Sequence, residues 1–108
     1  MFDLAKFNLA LFEDSAGQAA RLLRVLGNER RLMILCQLAE GERSVGQLLL
    51  LVGLSQSALS QHLAKLREDG IVATRRESQM IFYRIIDPAA LRVITTLAEL
   101  FCPTEDKP

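Results

Sequence analysis

Apolar positions along this chain recur at two periods, and the change of period divides it. Up to about residue 70 the spacing is helical, over 71–86 it is strand-like, and from 88 it is helical again. Phe2, Leu4, Phe7, Leu9, Leu11 and Phe12 mark an amphipathic segment over 2–13. A membrane-surface helix would carry more Lys and Arg, so this segment is expected to pack on a partner chain or on the body of the protein. Residues 16–26 continue as helix, with Ala19, Ala20, Leu22, Leu23, Val25 and Leu26 apolar and Gly27 as the stop. Asn28 is placed to cap the next helix, whose core positions include Leu32, Ile34, Leu35 and Leu38 and which ends by Gly41. Ser44-Val45-Gly46-Gln47 has the spacing of a capping box and opens a third helix that stops at Gly53. Ser55 caps a fourth, closed by Gly70.

Residues 71–77 and 80–86 are rich in β-branched and aromatic side chains and flank Ser78-Gln79, the pattern of a β-hairpin. Asp87-Pro88 supplies an N-cap and a proline for the first turn of a last helix, which runs to about Cys102 before Pro103. Neither repeats nor a linker interrupt this order, so residues 1–108 read as one domain. The expected class is mainly α (α+β).

The fourth helix has two unlike faces. Leu59, Leu63 and Leu66 form a narrow apolar stripe, while Ser57, Ser60, Gln61 and Lys65 point the other way. Glu68 and Asp69 come only at its far end, whereas a helix that merely faces water mixes Glu and Lys throughout. Short hydroxyls, amides and a cation suit base edges and phosphates in a DNA major groove. Two helices joined by the turn Gly53-Leu54-Ser55 make a helix-turn-helix over 44–69, and the hairpin over 71–86 makes a two-stranded wing. Candidate DNA contacts are Gln56, Ser57, Ser60, Gln61, His62 and Lys65 on the helix, with Arg75 and Arg76 on the wing. His62 sits at the edge of the apolar stripe, where it either donates to a phosphate or hydrogen-bonds within the motif. The run Leu48-Leu49-Leu50-Leu51 is unusually apolar for such a position, and at least one of the four is expected to be exposed.

Charge refines this reading. The chain has 13 basic and 13 acidic residues and no formal net charge, which excludes a generic polycation. Residues 56–86 nevertheless lean positive (Lys65, Arg67, Arg75, Arg76 and Arg84 against Glu68, Asp69 and Glu77), while residues 87–108 lean negative. One copy would hold DNA feebly, and two side by side would double the cationic face. No export signal and no apolar stretch of about 20 residues stand in the sequence, so a cytoplasmic location is expected, with both cysteines as thiols. No acid/base pair, nucleophile–His arrangement or phosphate loop points to an enzyme, and no cofactor is expected.

The stretches Leu26-Gly27-Asn28-Glu29-Arg30-Arg31-Leu32-Met33-Ile34-Leu35 and Val52-Gly53-Leu54-Ser55-Gln56-Ser57-Ala58-Leu59-Ser60-Gln61-His62-Leu63, followed by the hairpin, resemble the ArsR/SmtB winged-helix repressors. The resemblance covers nearly the whole chain. It implies a helical homodimer built on the first and last helices, here 2–13 and 88–102, that represses transcription until an inducer loosens its hold on DNA. Two-fold symmetry then predicts a pseudo-palindromic operator with half-sites about one helical turn apart.

Metal-sensing members carry a cysteine box near the start of the third helix, where this chain reads Arg43-Ser44-Val45-Gly46-Gln47-Leu48. Others carry Asp and His along the last helix, where Asp87 is followed by Ala89 and no histidine. No metal site is therefore expected, although a metal or small-molecule inducer on the same fold stays open, as does an interaction module that leaves DNA alone. The remaining chemistry is Cys36 and Cys102, whose placement resembles the BigR/SqrR branch of dithiol repressors. That resemblance implies a redox-sensing pair that joins through a disulfide or polysulfide when reactive sulfur arrives. A thiolate can attack sulfane sulfur and a second thiol can resolve the product. The plainer alternative for either cysteine is a small apolar group packed in the core.

Overall fold

The computed structural model describes residue 3 and residues 6–101. Phe2, Leu4 and Cys102, singled out above, lie outside the described residues. In order the elements are α1 (Leu9–Leu26), α2 (Glu29–Ala39), β1 (Arg43–Ser44), α3 (Val45–Val52), α4 (Gln56–Glu68), β2 (Val72–Glu77), β3 (Met80–Ile85) and α5 (Pro88–Phe101). This is a winged helix-turn-helix, as the periodicity predicts.

The caps fall on the residues the sequence nominates. The Asn28 side chain accepts from Arg31 N at 3.0 Å, and Ser55 Oγ accepts from Ala58 N at 3.1 Å. The capping box at α3 closes in both directions: Gln47 N donates to Ser44 Oγ, and Ser44 N donates to Gln47 Oε1. The side chain of Asp87 accepts from Ala89 N and Ala90 N at the start of α5. Gly53, at φ +67°, makes the bend between α3 and α4 in a backbone region that a side chain disfavours.

Two expectations need correction. The described part of the 2–13 segment and the 16–26 segment are not two helices, because one 18-residue helix runs from Leu9 to Leu26. Glu13, Asp14 and Ser15, at the join of the two segments, are exposed and contain no proline, so the helix continues through them. Asn8 caps it, its side chain accepting from Leu11 N at 3.2 Å. The wing is also larger than a hairpin. Arg43 and Ser44 pair antiparallel with Tyr83 and Phe82, giving a three-stranded sheet in the order β1-β3-β2. A two-residue strand is too short to show a period in the sequence.

The core is formed by Ile34, Leu35 and Leu38 of α2, Leu48 of α3, Leu59, Leu63 and Leu66 of α4, Ile71 and Val72 at the wing's base, and Ala90 and Ile94 of α5. From α1, only Val25 and Leu26 in the last turn are buried. Leu9, Leu11, Phe12 and Leu23 lie exposed, as do Leu91, Leu100 and Phe101 of α5. The radius of gyration is 15.9 Å, against about 13 Å for a compact domain of this length. The difference reflects a long α1 that one copy of the chain does not cover. In the leucine run, Leu48 is fully buried and Leu50 is 88% exposed.

Candidate nucleic-acid interface

Helical geometry separates the two faces of α4 as the spacing predicts. Leu59, Leu63 and Leu66, at i, i+4 and i+7, are buried in the core, and the helix packs on β2 at the wing's base. Gln56, Ser57, Ser60, Gln61 and Lys65 are all exposed. The result is a rod whose outward surface carries hydroxyls, amides and one ammonium. Lys65 Nζ lies 3.4 Å from Asp69 Oδ2, an ion-pair contact between partly exposed groups that is not aimed as a hydrogen bond. Such a pair holds the ammonium weakly and leaves it able to turn to another anion.

His62 differs from these neighbours because it is half-buried. Burial pushes its pKa below the ordinary histidine value, and the positive charges of Arg31 and Arg30 at the start of α2 push it further the same way. Arg31 is held in place by its own hydrogen bonds, Nε to the Val25 carbonyl oxygen at 2.6 Å and Nη2 to the Arg24 carbonyl oxygen at 3.4 Å. The two arginines at the head of α2 are electrostatic neighbours of His62 that sequence reading alone missed. Nothing in the linear pattern links them to residue 62.

Strand alternation separates the two wing arginines. Arg76 pairs across the ladder with Ile81, and Arg75 pairs with Phe82, so the two guanidinium groups leave opposite faces of the sheet. Ile81 faces α4 across a groove of about 800 Å³. The helix side of that groove is lined by Gln56, Ser60, Ala64 and Arg67, and the sheet side by Met80, Ile81 and Tyr83. Arg76 thus shares the groove's face of the sheet. Arg75 lies on the other face and is ion-paired with Glu42 and Glu77. Arg67 and the apolar pair Met80 and Ile81 also border the groove, and only the fold brings them beside Gln56 and Ser60.

A second helix with a polar outer face, held beside a wing, is the arrangement with which helix-turn-helix proteins enter a DNA major groove. The bacterial regulatory protein pattern of the arsR family matches residues 28–74, from the cap of α2 to the middle of β2. Transcriptional activator HlyU of Vibrio cholerae is 48% identical over 91% of this chain and 91% of its own length. The chain belongs to the arsR family of bacterial regulatory proteins. The biofilm growth-associated repressor of Agrobacterium fabrum is 44% identical over 96% of this chain and 89% of its own. Among solved structures, the transcriptional repressor BigR from Xylella fastidiosa superposes with a TM-score of 0.84 at 42% identity, covering 91% of this chain and all of that one. Reduced HlyU from Vibrio cholerae superposes at 0.82, covering 85% and 97%. This arsR-family chain is accordingly a DNA-binding transcriptional regulator and not an enzyme.

Away from the polar face of α4, Cys36 is half-buried on α2, against the core and on a helix that packs on α5. Among the described residues no group of three or more His, Cys, Asp or Glu side chains converges on a cation position. No described helix is long and apolar enough to cross a membrane.

Proposed function

We propose that the protein is a homodimeric repressor that releases a pseudo-palindromic operator when Cys36 and Cys102 react with persulfide, other reactive sulfur or an oxidant. The observation that carries the DNA half is the α4 surface, on which Gln56, Ser57, Ser60, Gln61 and Lys65 are exposed together over a buried leucine stripe. Ser57, Ser60 and Gln61 read base edges, while Lys65, His62 and Arg76 meet phosphates. The uncovered apolar residues of α1 and α5 support a second copy as partner, because an exposed face of this kind is stable in water only when something covers it.

For the sensor half, support comes from three sides. Cys36 is partly accessible at the edge of the core, α5 packs on its helix and leads in sequence into Cys102, and one close relative has been solved in a form described as reduced. The chemistry balances with an organic persulfide as the two-electron oxidant. The Cys36 thiolate attacks the outer sulfur, expels the organic thiolate and becomes a persulfide. The Cys102 thiolate then attacks Cys36 Sγ, forms the protein disulfide and expels hydrosulfide. A bridge between α2 and the residue that follows α5 in sequence alters how two copies meet across the α1/α5 surface, and with it the spacing of the two α4 rods.

Treating the protein with an organic persulfide, weighing the intact chain and measuring operator affinity at fixed salt tests the switch. Loss of affinity together with a mass change at Cys36 is expected. A Cys36→Ser variant that still lets go of DNA on treatment would refute it.

A further inference from the structure

Arg75 is 45% exposed, yet its donors are all directed at carboxylates of this chain. Its Nε lies 2.9 Å from both carboxylate oxygens of Glu42, and its Nη2 lies 2.8 Å from Glu42 Oε1. Its Nη1 lies 3.2 Å from Glu77 Oε1, and its Cζ sits 4.5 Å from the centre of the Phe82 ring. These partners come from three places. Glu77 is on the same strand, Phe82 is on the neighbouring β3, and Glu42 precedes β1 at the far edge of the sheet. The side chain therefore crosses the whole three-stranded sheet, from β2 over β3 to the β1 edge, on the face turned away from the α4 groove. Glu42 and Arg75 are 33 residues apart in sequence. The base of the sheet is anchored by Ile71 and Val72 in the core, with Tyr83 and Ile85 packed against it, whereas Arg75 lies farther out, where the strands are exposed and the link to the body runs through the two-residue β1.

We propose that Arg75 is a positioning residue: a cross-sheet strap that sets the wing's angle to α4 and so aims Arg76 and Ile81 at the duplex, without touching DNA itself. This rests on the DNA-binding reading above and assigns a new role within that same surface. A planar guanidinium suits the task, because it meets a carboxylate with two donors while lying flat on an aromatic ring, and a lysine can do neither.

The test compares wild type with Arg75→Lys, Arg75→Gln and Glu42→Gln as full chains, by amide hydrogen exchange without DNA and by operator titration at several salt concentrations. As a strap, Arg75→Lys and Glu42→Gln both speed exchange over 72–85 and leave α2 and α5 unchanged. Arg75→Lys then weakens the operator complex as much as Arg75→Gln does, roughly three- to fivefold, with an unaltered salt dependence. A direct phosphate contact gives the opposite pattern: Arg75→Lys keeps wild-type affinity, and Arg75→Gln lowers the salt slope by about 1. That pattern, or unchanged wing exchange in both strap variants, overturns the proposal. Absence of operator binding by wild type would instead sink the DNA-binding reading, and the exchange data would still decide the strap.

Discussion

Arg31 ties the end of α1 to the start of α2, its Nε donating to the Val25 carbonyl oxygen at 2.6 Å. Burial holds the His62 pKa below the ordinary value of 6.5, and the positive charge that this bond parks nearby pushes it the same way. In the unfolded chain the histidine protonates at its usual pH, so as pH falls below 6.5 the unfolded state takes up the proton first. Stability is therefore expected to drop as pH falls through the window between 6.5 and the lower folded value, and to level off beneath it. Thermal melts between about pH 7.5 and 5.5 check this, and His62→Gln should remove the His62 contribution.

DNA reverses the sign for the same residue. A phosphate beside His62 favours the imidazolium, so operator affinity is expected to rise as pH falls, and His62→Gln should flatten that rise. A pH-independent wild-type affinity would instead mean that His62 meets no phosphate.

Base-reading and phosphate contacts should separate cleanly by titration. Gln61→Ala or Ser57→Ala is expected to cost about 1–3 kcal/mol on the cognate site and much less on random duplex, which relaxes specificity. Lys65→Ala and Arg76→Ala should weaken both duplexes alike and lower the salt slope by about 1 each. Anisotropy titrations on the two duplexes across a salt series give both quantities.

Two leucines on neighbouring helices should behave oppositely. Leu59 is fully buried, and Leu59→Ala is expected to destabilise the fold by about 2–5 kcal/mol, read from urea melts. Leu50 is 88% exposed, and Leu50→Ser should shift stability by no more than about 0.5 kcal/mol.

The exposed face of α1 offers a test of assembly. Leu11→Glu with Phe12→Glu places charges where a second copy is expected to pack, so sedimentation should show a monomer. Operator affinity should fall steeply with it, because half the phosphate contacts are lost.

Local rules made much of this molecule readable from residue order. A helix cap depends on residues three apart, an amphipathic face on a 3.6-residue period and a strand on a two-residue period. The caps at Asn28, Ser44, Ser55 and Asp87, the buried stripe of Leu59, Leu63 and Leu66, and the outward row on α4 therefore follow from the sequence alone. So does the tally of charges. Tertiary structure decided whatever depends on distant segments meeting. It added the two-residue β1 to the wing and set Arg30 and Arg31 beside His62. It also sent the adjacent Arg75 and Arg76 to opposite faces, one toward Glu42 and one toward the groove. Two neighbouring arginines are chemically alike in sequence. Only ladder register and a carboxylate 33 residues away tell them apart, and neither leaves a trace in local composition.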